Sequence, residues 1–208
     1  MMACDASATR RDLTGFVLAG GASRRMGRNK AQLPWGAGTL LTHAIDRMTR
    51  VAGDIYVVGR VETNNLPVTV LPDKESGIGP LAGIHTSLSH STTDWNLILA
   101  VDLPLLTTEM LMWLTDLEGR TSELAIVPRV ESRLQALSAV YHRDFLPEVE
   151  RALKKRESSI HRLLERVNTR IIEEDQLIAN GFSPKMFLNV NTPEDLERAR
   201  AVAKATHV

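Results

Sequence analysis

Residues 96–101 read Asn-Leu-Ile-Leu-Ala-Val, with no polar position after Asn96. A strand with one wet face alternates apolar and polar side chains. An unbroken apolar run of this length therefore reads as a strand covered on both faces. Strands of similar character are predicted at 14–19, 55–58, 68–71 and 124–127, with further ones at 170–173 and 186–190. Helical spacing lies between them. Residues 39–51 carry Leu40, Leu41, Ala44, Ile45 and Met48 on one face, with Thr39 as N-cap. Further helices are expected at 81–88 with Pro80 in the first turn, and at 107–117, 145–153 and 159–166. A last helix at 193–202 is capped by Thr192, with Glu194 and Asp195 in its first turn. Apolar strands alternating with helices predict an α/β chain whose mainly parallel sheet is covered on both faces.

The chain has 208 residues, enough for one substantial core and short for two. A single domain over 13–208 is expected, behind a flexible stretch 1–12, with looser segments at 61–65 and after Val202. Lys+Arg and Asp+Glu are 25 each, giving a formal net charge of +0. That balance offers no bulk attraction for nucleic acid or a membrane surface, so a polyanion would need a local site. The single cysteine, Cys4, cannot form an internal disulfide, and no Cys/His cluster has structural-zinc spacing. With no signal-peptide pattern and no membrane-spanning apolar run, a cytoplasmic compartment is the expectation.

Four loops carry the chemistry. Gly20-Gly21 follows the first strand at once, and Arg24, Arg25, Arg28 and Lys30 come directly after. Glycine lets backbone N–H groups approach phosphate, and the cations supply charge around them. The same residues also suit an ordinary solvated loop. The loop is neither a G-x-x-x-x-G-K-[ST] phosphate loop nor a G-x-G-x-x-G dinucleotide fingerprint. Asp102 ends the most apolar strand, followed by Leu103-Pro104. At the carboxyl edge of a sheet its carboxylate suits Mg²⁺ beside phosphates, or equally the capping of a turn. Asp73 precedes Gly79-Pro80-Leu81-Ala82-Gly83. A carboxylate there can accept from guanine N1–H and 2-amino groups or from ribose hydroxyls, and the helix start favours anions; a plain loop is the alternative. Asn189 and Asn191 flank Val190 before Thr192-Pro193, as ligand amides or as turn formers. His85, His90, Trp35, Trp95 and Trp113 read as packing residues, and no Ser/His/Asp triad can be argued.

The stretch from Leu18 to Lys30 closely resembles the signature LAGG-x-S-x-RMG-x-x-K of the molybdenum cofactor guanylyltransferases, the molybdopterin-guanine dinucleotide biosynthesis protein A family. The resemblance continues through Asp73, Gly79-Pro80-Leu81-Ala82-Gly83, Asp102-Leu103-Pro104, Ala139-Val140-Tyr141 and Asn189-Val190-Asn191-Thr192-Pro193-Glu194-Asp195-Leu196. It implies a three-layer Rossmann-like nucleotidyltransferase fold. It also implies transfer of GMP from GTP to molybdopterin, with Mg²⁺ as cofactor and pyrophosphate as by-product. By that resemblance Leu18, Ala19, Gly20 and the adjoining Gly21 match the nucleotide loop, Arg25 and Lys30 the triphosphate cations, and Asp73 and Gly79 further GTP positions. Asp102 matches the residue that binds both metal and nucleotide; with Arg25 and Lys30 it makes the catalytic set. Asn189 and Asn191 match the molybdopterin side. The resemblance implies small-molecule substrates, without nucleic acid or membrane, and transient contact with cofactor-assembly or acceptor proteins. One departure stands out: some relatives carry Asn after the second strand, as a GTP contact, where this chain has Gly59. Related cytidylyl enzymes read LAAG where this chain has Leu18-Ala19-Gly20-Gly21, which favours GTP by analogy. A nucleotidyltransferase with CTP or another phosphorylated acceptor, or a non-catalytic nucleotide-binding protein on the same fold, are the alternatives.

Overall fold

A computed structural model describes residues 10–20, 29–61, 66–72, 79–117 and 122–206. Gly21, Arg24, Arg25, Arg28 and Asp73 lie outside the described residues.

The strands and helices run β1 (Arg10–Leu18), β2 (Pro34–Trp35), β3 (Gly38–Thr39), α1 (Leu40–Thr49), β4 (Ala52–Val58), β5 (Thr69–Leu71), α2 (Pro80–His90), β6 (Trp95–Ala100) and α3 (Thr108–Thr115). They continue with β7 (Ala125–Val130), β8 (Arg133–Leu134), β9 (Ser138–His142), α4 (Leu146–Lys154), α5 (Ile160–Leu164), β10 (Thr169–Ile172), α6 (Glu174–Ala179) and α7 (Pro193–Thr206). The main sheet has the order β10-β7-β9-β6-β1-β4-β5, with β8 paired to β7. All its neighbours are parallel except β9, antiparallel to β6 and β7, and the β7–β8 hairpin.

The two faces of the sheet separate by residue parity, as the pleat requires. Leu13, Val17, Leu97 and Leu99 join one apolar cluster, which also holds Leu41, Met48, Leu111 and Ala199 from α1, α3 and α7. Phe16, Leu18 and Ile98 join the other, with Leu81 and Ile84 of α2, Val149 of α4 and Leu163 of α5. The result is a three-layer α/β structure with a mainly parallel central sheet. Leu97, Ile98 and Leu99 are each fully buried, so both faces of β6 are dry. Burial of one such side chain is worth on the order of 2 kcal/mol. The unbroken apolar run of β6 is the direct consequence.

Capping follows the local chemistry. Thr39 caps α1 reciprocally: its hydroxyl accepts from the Thr42 amide at 3.2 Å, and the Thr42 hydroxyl accepts from the Thr39 amide at 2.8 Å. Gly79, with φ +80°, precedes Pro80 at the first turn of α2. At the start of the chain, β1 begins at Arg10, within the stretch 1–12, because the Arg10 amide reaches the Val51 carbonyl at 3.1 Å. At the other end, α7 continues past Val202 to Thr206.

The strand expected at 186–190 does not form. Ser183 caps a short 3-10 helix, Pro184–Phe187, and the buried positions Phe187, which ends it, and Val190 are three apart. That spacing belongs to a turn, and the Val190 amide bonds to the Asp102 carbonyl at 2.9 Å instead of to a strand. Five short elements absent from the expectation, β2, β3, β8, β9 and α6, also appear. The expected packing residues pack: the Tyr56 ring meets His90 edge-on, Trp95 meets His142, and Trp113 meets Phe182.

Candidate active site

The site begins with strand register. Leu18 pairs with Ala100 on one side and Val58 on the other, and Val58 pairs with Leu71. Four parallel strands thus end on one line, with Ala19-Gly20, Gly59, Pro72 and Val101-Asp102 beyond it. Two bonds continue the sheet past its formal end: the Ala19 amide to the Val58 carbonyl at 2.9 Å and the Val101 amide to the Leu18 carbonyl at 3.1 Å. Gly20 is exposed at this edge, while Leu18 and Ala19 are each 8% exposed and anchor it.

Lys30 enters the same edge from the far end of the glycine- and arginine-rich loop. Asn29 accepts the Ala31 amide at 3.1 Å and so starts the short 3-10 helix Lys30–Gln32. Buried Ala31 and Leu33 hold that turn down, and the Leu33 carbonyl accepts the Leu40 amide at 2.9 Å. The Lys30 ammonium donates to Asp102 Oδ2 at 3.0 Å and to Asn191 Oδ1 at 2.6 Å. The two charged side chains are about one-fifth exposed, so the pair is reachable by a ligand yet partly shielded.

Asn191 is brought there by the C-terminal segment. Val190 is fully buried, and its amide bond to Asp102 ties the two loops together. Asp195 Oδ2 accepts the amides of Asn191 at 3.1 Å and Thr192 at 3.0 Å, while Thr192 Oγ1 accepts the Asp195 amide at 3.2 Å. The Asn191 amide, joined by the Thr192 contacts and outweighing the opposing effect of burial, holds the Asp195 carboxyl below the usual aspartate range. Asn189 is exposed and stands apart from the Lys30 contacts.

The loop after Asp102 is held by residues the motifs did not reveal. Arg47 on α1, only 5% exposed, donates to the carbonyls of Leu103 at 3.2 Å, Pro104 at 3.4 Å and Leu106. Its Nε donates to the His43 carbonyl at 3.3 Å, and His43 Nε2 bonds the Pro104 carbonyl at 3.0 Å. Burial lowers Arg47 to about 10, so it stays charged at neutral pH, and burial followed by Arg47 lowers His43. Arg47 Nη2 is buried with no hydrogen-bond partner. One signal was present in the sequence: Arg47 lies three residues beyond Ala44, on the apolar face of α1, where a cation must find buried acceptors.

The donor set fits Mg²⁺. Mg²⁺ is held by one or two carboxylates together with phosphate and water, and Asp102 offers a hard carboxylate at the open strand edge. Among the described residues no group of three His, Cys, Asp or Glu side chains gathers. Among the same residues no helix is long and apolar enough to cross a membrane.

Residues 15–171 match the family described as the MobA-like NTP transferase domain. A probable molybdenum cofactor guanylyltransferase of Pelotomaculum thermopropionicum is 33% identical over 92% of this chain and 93% of its own length. Another, of Carboxydothermus hydrogenoformans, is 35% identical over 90% of this chain and 94% of its own. The crystal structure of molybdopterin-guanine dinucleotide biosynthesis protein A from Archaeoglobus fulgidus superposes with a TM-score of 0.80 at 26% identity, covering 92% of this chain and 99% of that one.

Proposed function

We propose, from the premise that the chain belongs to the molybdenum cofactor guanylyltransferases with their MobA-like NTP transferase domain and is a nucleotidyltransferase, that it moves GMP from GTP to molybdopterin. The observation that carries the reading is the bond from Lys30 to Asp102 at the end of four parallel strands. It joins a phosphate-type cation to a metal-type carboxylate beside an exposed glycine.

In this reading an oxygen of the molybdopterin phosphate attacks the α-phosphorus of GTP. The bond from that phosphorus to the α,β-bridging oxygen breaks, and pyrophosphate leaves in line. Lys30 and Arg25 neutralise the charge that grows on the departing phosphates, a role commonly worth about 3 kcal/mol. Asp102 would hold the divalent ion, and its carboxylate holds the Lys30 ammonium in place. Mg²⁺, when bound there, supplies Lewis-acid stabilisation of the phosphate oxygens. Ala19 and Gly20 present backbone along the triphosphate, and Gly79 opens the helix start toward it. In the same reading Asp73 is a further GTP position, accepting from guanine or from the ribose hydroxyls, and Asn189 and Asn191 serve the acceptor. All of this lies within one domain acting in the cytoplasm, in passing contact with proteins that make or receive the cofactor.

The test is pyrophosphate release with GTP and molybdopterin, against ATP and CTP. Release that requires GTP, molybdopterin and Mg²⁺ together is expected. Equal rates with all three nucleotides would remove the guanylyl assignment, and release with CTP alone would make the chain a cytidylyl enzyme.

A further inference from the structure

We propose that Asn191 is a positioning residue of the nucleotide side, acting through Lys30; the inference rests on the reading of Lys30 as a triphosphate cation. An ammonium has three N–H donors and no acceptor. One donor goes to Asp102 Oδ2 at 3.0 Å and a second to Asn191 Oδ1 at 2.6 Å. One remains for a phosphate oxygen. A free lysine side chain spreads over many rotamers, and ordering it costs entropy. Two bonds from two different loops restrict it before any ligand arrives, and such preorganisation goes directly into affinity.

Asn191 is itself held firmly enough to do this. Its backbone amide is taken by Asp195 at 3.1 Å, and its neighbour Val190 is fully buried and bonded to the carbonyl of Asp102. The same residue that carries the carboxylate for Lys30 therefore also fixes the loop that carries the amide. The orientation of that amide follows from chemistry. Only its oxygen can face an ammonium, so Oδ1 is committed to Lys30 and Nδ2 is left as a pair of donors. An acceptor substrate meeting Asn191 must then bring an oxygen, as a phosphate does. One side chain thus touches the cation of the donor site with one end and offers donors to the acceptor with the other.

The test is calorimetric titration of α,β-methylene GTP, which cannot turn over, with Mg²⁺ and without any acceptor. It uses the parent, Asn191→Ala, Lys30→Ala and the double variant. A hydrogen bond to a charged group supports a roughly tenfold loss of affinity for Asn191→Ala, with parent-like thermal unfolding because the side chain is on the surface. In the Lys30→Ala background the same substitution is expected to change nothing, since the group it acts through is gone. Parent-like affinity for Asn191→Ala, or an undiminished loss without Lys30, overturns the proposal. The functional reading is judged separately: it fails if the parent and Lys30→Ala bind the analogue alike.

Discussion

Gly59 lies so close to Gly20 that a Cβ on Gly59 would stand 2.6 Å from the Gly20 amide nitrogen. The same atom would meet the Ala19 carbonyl carbon at 2.9 Å, and Gly59 has φ +138°, a region that disfavours side chains. The position where some relatives carry an asparagine is therefore closed here by the backbone of Ala19 and Gly20. Asparagine in this chain would push the loop away before it could reach a base. Gly59→Ala should destabilise the protein by about 1–3 kcal/mol through backbone strain and weaken GTP binding by displacing Gly20. Thermal unfolding and GTP titration check this. Parent values for both would mean that the loop yields without consequence.

Asp102→Asn should keep the fold, since the side chain is at the open strand edge, and lose most Mg²⁺-dependent turnover. A neutral amide is a poor Mg²⁺ ligand and a weaker partner for Lys30. Rates measured across a Mg²⁺ titration decide it: a parent rate at equal Mg²⁺ would end the metal role.

Lys30→Ala and Arg25→Ala should each slow transfer by roughly 10²-fold. Arg24→Ala and Arg28→Ala should do less. Steady-state kinetics on the four variants would show small, equal losses if the loop were merely solvated.

Arg47→Met should strip the carbonyls of Leu103, Pro104 and Leu106 of a buried donor. Breaking such an arrangement costs about 3 kcal/mol, and at about 2–4 °C per kcal/mol the melting temperature should drop by roughly 6–12 °C. Arg47→Lys should recover part of the loss. An unchanged melting temperature for Arg47→Met would show that the loop holds itself.

Asp195 gives a pH-dependent test. Its folded-state pKa is depressed below 3.8, so its stabilising effect is present above the unfolded value and lost as pH falls through the folded one. Asp195→Asn should therefore melt below the parent at neutral pH, with the gap closing in strong acid. A gap that stayed constant through the acid range would assign the effect to something other than this carboxylate.

Much of the architecture was legible because β6 and its neighbours are buried on both faces, which leaves a plain apolar record in the chain. β9 was harder to read. Ser138–His142 is short and begins with a buried serine, and it is antiparallel between two parallel partners. The segment at 186–190 misled by composition, since its apolar residues serve a turn docked on Asp102. At the site, Lys30, Asp102 and Asn191 were each legible as residue types beside a turn. Their mutual bonds were not, because loops far apart in sequence carry them. Arg47 was obscured for the opposite reason: its partners are backbone carbonyls, which leave no mark in a sequence.

The bond from Lys30 to Asn191 joins residues 161 positions apart. During synthesis on a ribosome the cation and Asp102 emerge long before the amide that completes the triangle has been made. A polypeptide stopped by a premature codon or cut upstream of Asn191 can hold the Lys30–Asp102 pair but never the third member. Translation of the chain through Asn191 is thus written into the chemistry of the site itself.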